Sequence, residues 1–300
     1  METMKNIMNK GCTLCPRNCN IDRKNNHSFC GVGNNLKLAK VSLHMWEEPC
    51  ISGKNGSGTV FFSGCSLKCV FCQNYKISHQ AYGKEISTQR LSDIFLELQQ
   101  KGAENINFVS GSHFVPQIIT ALDRVKHKLL IPIVYNSSGY ETVSTLKLLE
   151  GYIDVYLPDL KYFSPVLSKK YSNTENYFEY ASQAILEMHR QQPKLQFKGE
   201  LLKKGVLIRH LILPRCRKDS MKIISWIYEN LPENSYLVSL MSQYTPCFKA
   251  DDFPEINRRI TTFEYNSVLD KIIEYNMNGF FQDKNSATLE YTPEFDLEGI

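Results

Sequence analysis

The cysteines are the residues of this chain most able to do chemistry, because thiolates bind metals and carry redox reactions. The sequence has ten of them, and seven fall into two tight groups. The first group is Cys12, Cys15, Cys19 and Cys30, and the second is Cys65, Cys69 and Cys72. Cys50, Cys216 and Cys247 stand apart and have no assigned role. In a reducing compartment, thiols clustered in this way predict metal or redox sites rather than disulfides.

The second group has the spacing C-x3-C-x2-C and follows an apolar run at residues 59–63 that leads into Gly64. This run predicts a buried strand that leads directly into the three cysteines. A structural zinc site needs four ligands, whereas a four-iron cluster held by three cysteines leaves one iron open to a small molecule. The spacing therefore favours an iron–sulfur cluster, with an incidental or zinc-binding group as the alternative.

The first group places four thiols within 19 residues, at uneven spacings, upstream of the first predicted strand of the core. Four thiols suit one tetrahedral centre, and the spacing does not distinguish zinc from a second iron–sulfur cluster. Such a centre would either hold together an extension too small for its own core or serve as an auxiliary cluster. Of these two roles, the structural one is the simpler.

Composition and charge indicate which class of protein this is. With 300 residues, 42% of them hydrophobic and 22% charged, the chain can bury a substantial core. The first ten residues are polar and mixed, and no run approaches the length of a membrane span, so we expect a cytoplasmic protein without a membrane partner. The formal net charge of +4 and the cysteine spacing argue against a zinc-containing nucleic-acid-binding protein.

Strands and helices are predicted to alternate after residue 58. Apolar periodicity indicates strands at residues 59–63, 105–109, 131–135, 152–157, 206–213 and 236–241. Helices are indicated around residues 91–98, 115–126, 141–150, 177–190, 220–229 and 265–273. Six such units predict a parallel sheet, either doubly wound or a barrel missing two of eight repeats. Functional groups are then expected at the carboxyl ends of the strands.

The remaining segments define three predicted regions. Residues 1–50 are predicted to be a cysteine-rich metal-binding extension, and residues 51–282 the catalytic core. Residues 40–58 read as a loop that packs the extension onto the core, because they contain several glycines and a proline. Residues 283–300 form an acidic tail that we expect to lie over the core or to be partly loose.

The second cysteine group, with Phe71 just before Cys72, resembles the radical S-adenosylmethionine (SAM) superfamily. Three further stretches resemble its PflX-like branch, which is related to the activating enzymes of glycyl-radical enzymes such as pyruvate formate-lyase. They are the Cys-Thr-Leu-Cys-Pro-Arg sequence at residue 12, Cys-Gln-Asn at residue 72 and His-Phe-Val-Pro at residue 113. The resemblance runs through nearly the whole chain and implies an α/β fold, a partial (β/α)6 TIM-type barrel.

The same resemblance implies cofactors and chemistry. A [4Fe–4S] cluster on Cys65, Cys69 and Cys72 would bind SAM through its amino and carboxylate groups. Reductive cleavage would produce a 5′-deoxyadenosyl radical that abstracts hydrogen. An electron donor such as flavodoxin or ferredoxin is expected.

Candidate site residues follow the strand ends. By resemblance, Phe71 lies beside the adenine, and the Asp159-x-Lys161 pair contacts SAM and an incoming glycine loop. Ser110, Ser112 and His113 stand where many relatives have Gly-Gly-Glu-Pro, a motif absent here. The remaining candidates for cofactor contacts are Asn136, Ser138 and Arg209.

Plain structural roles are the alternatives for these residues. His113 could be a satisfied histidine at a helix start, Asn136 and Ser138 could simply form a turn, and Asp159 with Lys161 a solvated ion pair. Arg209 stands between apolar residues, so an inward guanidinium must find an anion or a carboxylate.

The leading interpretation is a radical SAM oxidoreductase that activates a glycyl-radical enzyme. A barrel short of two repeats has a lateral opening that would admit a loop of a protein partner. A second interpretation keeps the chemistry but changes the substrate to a small molecule or another protein side chain. A non-catalytic zinc or nucleic-acid-binding protein is the contrasting interpretation, and we expect no nucleic-acid partner.

Overall fold

The computed structural model describes residues 11–281 and 293–300, and within them a mostly parallel sheet forms the centre of the molecule. Its strands are β1 (Leu36–His44), β2 (Ser57–Phe62), β3 (Lys84–Ile86), β4 (Ile106–Val109), β5 (Ile133–Ser137), β6 (Val155–Pro158), β7 (Gln196–Lys198), β8 (Leu201–Leu211), β9 (Leu237–Met241) and β10 (Gly279–Phe281). The helices are α1 (Pro49–Ser52), α2 (Tyr75–Ser78), α3 (Thr88–Gln100), α4 (Val115–Val125), α5 (Val143–Leu148), α6 (Pro165–Ser172), α7 (Tyr177–Gln191), α8 (Arg217–Asn230) and α9 (Thr262–Glu274).

The order of the strands makes this an open, partial barrel. Along the sheet they run β10-β9-β8-β6-β5-β4-β2-β1-β3, with β7 paired to β8. The pairs from β2 through β4, β5, β6, β8 and β9 to β10 are all parallel, so their carboxyl ends lie at one edge. All six predicted core strands are present, which confirms the (β/α)6 architecture. The short β10 adds a seventh parallel strand that the sequence reading did not include.

Alternation along each strand separates two sets of buried side chains. The outward set packs against the helices in one large apolar cluster that includes Phe108, Tyr135 and Ile208. The inward set is apolar near the amino ends of the strands, where Val134, Val155, Leu157, Leu207 and Leu237 pack around Cys50 and Ile51 of α1. Helix α1 therefore fills the amino-terminal end of the barrel and leaves the carboxyl end to polar groups.

The prediction of a loop over residues 40–58 is wrong at residues 40–44, which belong to β1, and at residues 49–52, which form α1. Strand β1 reaches His44 and pairs antiparallel with β2, from Leu38 opposite Phe62 to His44 opposite Ser57. The stretch from Leu36 alternates apolar and lysine side chains, which is a strand pattern. The glycines and the proline of the following segment hid this pattern, and Pro49 in fact begins α1, where its missing N–H costs no hydrogen bond.

The acidic tail is described only over residues 293–300, and its members Asp283 and Glu290 lie outside the described residues. The described part lies along β1. The Leu297 N–H donates to the Ala39 carbonyl at 3.2 Å, and the Val41 N–H donates to the Glu298 carbonyl at 2.9 Å. This part of the tail is thus hydrogen-bonded along β1. In the described part of the chain, no helix combines the length and the apolar character needed to cross a membrane.

Candidate active site at the carboxyl end of the sheet

The loop after β2 carries Cys65, Cys69 and Cys72 to the carboxyl edge of the sheet. Gly64 begins the loop with a φ of +92°, a conformation that favours glycine, and an added Cβ would lie 2.8 Å from the Cys30 carbonyl oxygen. A turn of this shape sends the three cysteines away from the strand toward the barrel axis. All three line one cavity together with residues from the ends of β4, β5 and β6.

Each of the three sulfur atoms accepts a hydrogen bond. The Leu67 N–H donates to Cys65 Sγ at 3.4 Å, the Ser172 hydroxyl to Cys69 Sγ at 3.0 Å, and the Ser78 hydroxyl to Cys72 Sγ at 3.2 Å. Two of these donors come from helices α6 and α2 rather than from the loop itself. Such donors stabilise negative charge on sulfur, as thiolate ligands of a metal require.

Burial otherwise favours the protonated thiols. Desolvation raises the pKa of Cys65, with the neighbouring Cys69 adding to the effect. Desolvation and the other two thiols raise the pKa of Cys72 to about 12. All ten cysteines, each within the described residues, are free. A bound cation would therefore have to displace the protons of this loop.

Among residues 11–281 and 293–300, no three His, Cys, Asp or Glu side chains stand close enough together to hold a single metal ion. This finding concerns single-ion sites, because an iron–sulfur cluster holds its thiolates apart by its own width. The hydrogen-bonded sulfurs and the adjoining cavity are what a cluster with one accessible iron needs.

Two adjoining cavities occupy the carboxyl end of the barrel. The larger, of about 330 Å³, reaches from Cys69, Phe71 and Cys72 down to Glu48 and Ser239 inside the barrel. This volume lies within the usual range for small-molecule sites. The smaller is lined by the three cysteines and by Ser110 and Ser138. Asn136, Asp159, Lys161 and Arg209 border both cavities, so the strand ends bring most of the predicted residues together.

Arg209 is the centre of a buried polar network. Its Nε donates to Asp159 Oδ1 at 2.9 Å, its Nη1 to Glu47 Oε2 at 3.1 Å, and its Nη2 to Asn136 Oδ1 at 2.6 Å. Lys161 Nζ donates to the other oxygen of Asp159 at 2.5 Å. The inward guanidinium thus meets carboxylates, as its position between apolar residues requires.

The network sets the charge state of its members. Burial alone would raise the pKa of Asp159, but the charges of Arg209 and Lys161 outweigh it and lower that pKa. Burial would likewise lower the pKa of Lys161, yet Asp159 and Cys69 together raise it. Both groups are therefore ionised at neutral pH, although their side chains are only 14% and 18% exposed. They are not the solvated ion pair that was the structural alternative.

Sequence reasoning missed Glu47 and Glu48. Glu47 Oε1 accepts hydrogen bonds from Asn107 and Asn136, both at 3.1 Å, in addition to the contact with Arg209. Burial raises the pKa of both glutamates, against the opposing charge of Arg209. Two consecutive acids between Trp46 and Pro49 read as an exposed turn, because nothing in the sequence shows that this segment enters the barrel.

Ser112 and His113 do not border either of these two cavities. The Ser112 hydroxyl donates to the buried carboxylate of Glu141, and His113 Nε2 lies 2.8 Å from the Ser63 carbonyl oxygen. Burial and the nearby Arg23 lower the pKa of His113 to about 3, so its ring is neutral and can donate to Ser63. These contacts support the structural alternative for His113.

Phe71 lies at the wall of the larger cavity and is 7% exposed. Its ring meets Tyr171 and Tyr244 edge-on, with centroids 6.5 and 5.7 Å away. The Sγ of Cys247 donates to the Phe71 carbonyl at 3.2 Å. This lone thiol therefore lies near the loop that carries Cys65, Cys69 and Cys72. Cys50 and Cys216 are buried in α1 and beside the start of α8.

Three members of the first cysteine group are buried, namely Cys12, Cys15 and Cys30, while Cys19 is half-buried. Desolvation raises the pKa of Cys15, and the neighbouring Cys12 and Cys30 contribute in the same direction. The Cys30 sulfur lies 2.7 Å from the Ser28 hydroxyl. Cys12, Cys15 and Cys30 therefore share one interior region, and Cys19 is more accessible than these three.

Comparisons with known proteins agree with this architecture. The profile of the radical SAM superfamily matches residues 59–198. An uncharacterized protein of Methanocaldococcus jannaschii, MJ0674, is 32% identical over 289 residues, which cover 93% of this chain and 78% of that protein.

Solved structures share the fold at low identity. HydG, a maturase of the [FeFe]-hydrogenase, aligns with a TM-score of 0.51 at 13% identity, over 72% of this chain and 48% of that one. SuiB of Streptococcus suis, bound to its precursor peptide SuiA, aligns with a TM-score of 0.49 at 14% identity, over 73% and 46%. The chain thus spans about half the length of these two proteins. With its cysteine loop at the carboxyl edge of a partial barrel, it belongs to the radical SAM superfamily, whose cofactors are a [4Fe–4S] cluster and S-adenosylmethionine.

Proposed function

We propose that this enzyme, which belongs to a superfamily of SAM-cleaving radical chemistry, removes a hydrogen atom from a glycine of a partner protein, as the activating enzymes of glycyl-radical enzymes do. The observation that carries the proposal is the position of Asp159 and Lys161. They form a buried ion pair on the wall shared by both cavities. Lys161 lies near enough to Cys69 for this residue to contribute to its raised pKa. This is the arrangement that the resemblance to the PflX-like branch implies for a pair that meets both SAM and the incoming glycine loop.

The ligand set that we propose for the [4Fe–4S] cluster is Cys65, Cys69 and Cys72. Their sulfurs each accept a hydrogen bond, and all border the smaller cavity. When bound, the cluster and SAM together supply a carbon-centred radical strong enough to remove a hydrogen atom from substrate. The protein must hold the substrate carbon in place and exclude competing reactions.

Polar groups around the smaller cavity suit the cofactor. Ser110 and Ser138 offer hydroxyls at the ends of β4 and β5, and Asn136 offers an amide. Arg209 contributes the buried positive charge that a carboxylate requires. Phe71 offers an aromatic wall for the adenine. For Ser112 and His113 a direct cofactor contact stays a prediction, and their present contacts favour support of the strand end.

A lateral opening provides access for a protein loop. The larger cavity is bordered by Trp46, which follows β1, by Phe280 of β10, and by Pro293. The strands β1 and β10 are not hydrogen-bonded to each other in the described sheet. Trp46 is 61% exposed, so an apolar surface stands at this seam. A flexible loop entering here would pass directly toward Asp159 and Lys161.

A specific observation favours a second candidate function, in which the substrate is a small molecule. Three buried polar side chains in the described residues, Glu48, Ser239 and Thr245, line the larger cavity. Thr245 Oγ1 has no hydrogen-bond partner, and the carboxylate of Glu48 has Ser239 as a close neighbour but no hydrogen bond of normal geometry to its Oε2. Buried polar atoms are normally paired, so this floor suits a polar ligand that fits inside the barrel.

The predicted division of the chain is kept as part of the proposal. Residues 1–50 are proposed to contain a metal-binding extension with Cys12, Cys15, Cys19 and Cys30 as ligands of zinc or a second cluster, although β1 and Glu47 within this range belong to the central sheet and to the barrel network. No three of these thiols stand close enough for a single ion in the described structure, so zinc would have to draw them together. Residues 51–282 form the catalytic core, and residues 283–300 the acidic tail. The burial of Cys12, Cys15 and Cys30 in one region supports this assignment of the extension.

One experiment tests the reaction and then its substrate. The protein is purified without oxygen, loaded with iron and sulfide, and reduced with dithionite, and release of 5′-deoxyadenosine from SAM is measured. A Cys216→Ala variant, which removes a lone buried thiol, is the matched control for Cys69→Ala. Cleavage that persists in Cys69→Ala would contradict the proposed ligand set.

The substrate is then tested with synthetic peptides that carry a glycine deuterated at its α-carbon. Transfer of deuterium into 5′-deoxyadenosine supports the glycine proposal, and the same peptides with alanine in place of glycine serve as controls. If no peptide transfers deuterium while a small polar molecule does, the second candidate function is correct. Replacing dithionite by reduced flavodoxin or ferredoxin tests the expected electron donor.

A further inference from the structure

Arg17, which lies between Cys15 and Cys19, makes an unusual set of contacts. Its Nε donates to the Ser66 carbonyl at 2.7 Å, its Nη2 to the Ser172 carbonyl at 3.0 Å, and its Nη1 to the Asn173 carbonyl at 2.6 Å. One guanidinium from the amino-terminal segment therefore bonds to backbone groups about 49 and 155 residues away along the chain.

Two of the carbonyls belong to the end of α6. Ser172 is its last residue, and Asn173 caps it in the left-handed conformation with a φ of +52°. The final carbonyls of a helix lack partners within the helix and carry its negative dipole end, so a cation is favourable there. Arg17 supplies this cation and fixes the position of the last turn of α6.

The last turn of α6 bears directly on the cluster loop. The Ser172 hydroxyl donates to Cys69 Sγ at 3.0 Å and lies 2.8 Å from the Tyr162 hydroxyl. The Val70 N–H donates to the Tyr171 carbonyl at 2.9 Å. Helix α6 is thus hydrogen-bonded to the loop at Cys69 and at Val70. The third contact of Arg17, with the Ser66 carbonyl, reaches the same loop next to Cys65.

The amino-terminal segment also holds the opposite side of the loop. The guanidinium of Arg17 lies over the ring of Phe29 at 3.9 Å from its centroid. The backbone carbonyl of the next residue, Cys30, accepts a hydrogen bond from the Cys65 N–H at 3.2 Å. The loop between Cys65 and Cys69 is therefore held between α6 and the cysteine-rich segment, with Arg17 in contact with both.

We propose that Arg17 is a positioning residue that aligns the Ser172 hydroxyl with Cys69 and thereby tunes the reduction potential of the cluster. The inference rests on the proposed ligand set and deepens it. A hydrogen bond to a ligand sulfur stabilises the more negative, reduced state of a cluster, so its loss lowers the potential. In this view the cysteine-rich segment has a task beyond its own stability, because it holds the electronic environment of a cluster bound by a different part of the chain.

The test combines two variants of Arg17 with a variant of Ser172. Arg17→Gln removes the charge, and Arg17→Lys keeps the charge but cannot bond three carbonyls at once. Ser172→Ala removes the hydroxyl that contacts Cys69. Arg124→Gln, at an exposed arginine that bonds only to Gln89 in the described contacts, is the matched control.

The first readout uses metal-free protein and does not depend on the cluster. Amide hydrogen exchange is measured at residues 65–72, where the N–H groups of Cys65 and Val70 are hydrogen-bonded. Arg17→Gln is expected to speed exchange there about tenfold or more, since hydrogen bonds to a charged group are lost. Unchanged exchange in Arg17→Gln would overturn the positioning role, whatever the ligands of the cluster prove to be.

The second readout is the midpoint potential of the loaded protein, followed by electron paramagnetic resonance during a redox titration. Ser172→Ala and Arg17→Gln are both expected to shift the potential in the negative direction, and Arg124→Gln is expected to leave it unchanged. The double variant should be no more negative than Ser172→Ala alone, because Arg17 acts through Ser172.

Three results contradict the proposal. They are a potential that Arg17→Gln leaves unchanged while Ser172→Ala shifts it, full additivity in the double variant, and wild-type behaviour of Arg17→Lys in both readouts. If instead Cys69→Ala still binds a complete cluster, the proposed ligand set fails, and the exchange measurement still decides whether Arg17 positions the loop.

Discussion

The two cysteine groups of this protein differ in what surrounds their sulfur atoms. Cys65, Cys69 and Cys72 stand at the wall of a cavity, and each sulfur accepts a hydrogen bond from the chain. Cys12, Cys15 and Cys30 lie in the interior, with 9% exposure or less. Burial raises the pKa of Cys15 and Cys30 as it does that of Cys65 and Cys72.

The difference separates reactivity from structural support. Burial raises the pKa of two thiols in each group, so burial alone does not identify the reactive one. Access to a cavity lined by ionised side chains does identify the reactive group, because a substrate must reach the metal. The loop that carries Cys65, Cys69 and Cys72 has this access, because it lines a cavity together with Asp159, Lys161 and Arg209. The first group has instead close contact with the loop itself, through Arg17 and Cys30.

The largest expected effect comes from removing one sulfur of the cysteine loop. Cys69→Ser is expected to reduce release of 5′-deoxyadenosine to background, since a [4Fe–4S] cluster with two cysteines is not held in this geometry. Iron content and electron paramagnetic resonance of the reconstituted protein check the result. Full activity in Cys69→Ser would show that the comparison assigns the reactive role to the wrong group.

The next effect concerns the cation that faces this cavity. Arg209→Met removes the only cation that contacts Glu47 in the described network and leaves Asp159 with Lys161 alone, which is expected to cost about 3 kcal/mol of stability and to weaken SAM binding. Thermal unfolding and equilibrium binding of SAM measure the two effects. Combining Arg209→Met with Glu47→Gln should restore part of the stability but not the binding, and restoration of binding would remove Arg209 from the cofactor site.

A smaller effect is expected from the first cysteine group. Cys15→Ser should release the metal of the extension and lower the free energy of unfolding by about 2 kcal/mol or more, and Tm by roughly 4 °C or more, while SAM cleavage persists at a reduced rate. Zinc and iron are counted in the same samples, and Cys216→Ala serves as control. If cleavage falls to the level of Cys69→Ser, the extension takes part in the reaction rather than supporting it.

The smallest effect is a pH dependence at the boundary of the two regions. Burial raises the pKa of Glu141, beside Cys15 and Ser112, to about 7. The folded protein then binds a proton between pH 4.5 and 7 that the unfolded chain releases, so this contribution to stability is lost as the pH rises through 7. The full loss is on the order of 3 kcal/mol.

The Glu141→Gln variant cannot ionise and should escape this loss. Its Tm, taken relative to that of the unsubstituted protein, is therefore expected to rise between pH 5 and pH 8. Ser112→Ala keeps the carboxyl group titratable but removes a hydrogen bond that lowers its pKa, so it should carry the loss of stability to higher pH. A Tm difference that stays constant across this range would show that Glu141 does not titrate there.

Much of the candidate site was predictable because strand ends are visible in the sequence. Asn136 and Asp159 follow the ends of predicted strands, and Arg209 stands inside the fifth predicted strand between apolar residues. The parallel sheet brings all three into one network. Ser112 and His113 were chosen on the same rule but lie in the 3₁₀ turn before α4, where they bond to Glu141 and Ser63. Ser112 and His113 lie three and four residues beyond the end of β4, where the rule no longer predicts which way a side chain points.

Other features could not be found in this way. The helix predicted at residues 141–150 begins only at Val143, because Thr142 caps it and Glu141 is drawn into the interior. Glu47 and Arg17 stand in segments without periodicity, and their partners are distant in sequence. Nothing local distinguishes a charged side chain that reaches such a partner from one that meets water.

The sequence by itself determined the spacing of the thiols and the order of strands and helices, because both are local patterns over a few residues. The family and its cofactors were indicated by the resemblance of the sequence motifs to known proteins. Only the tertiary structure decided that Glu47 enters the barrel, that Arg209 bonds to three partners, and that Arg17 joins the cysteine-rich segment to the cluster loop. Such contacts depend on which buried charges find partners once the chain has closed around them, and burial without a partner is too costly to leave them unpaired.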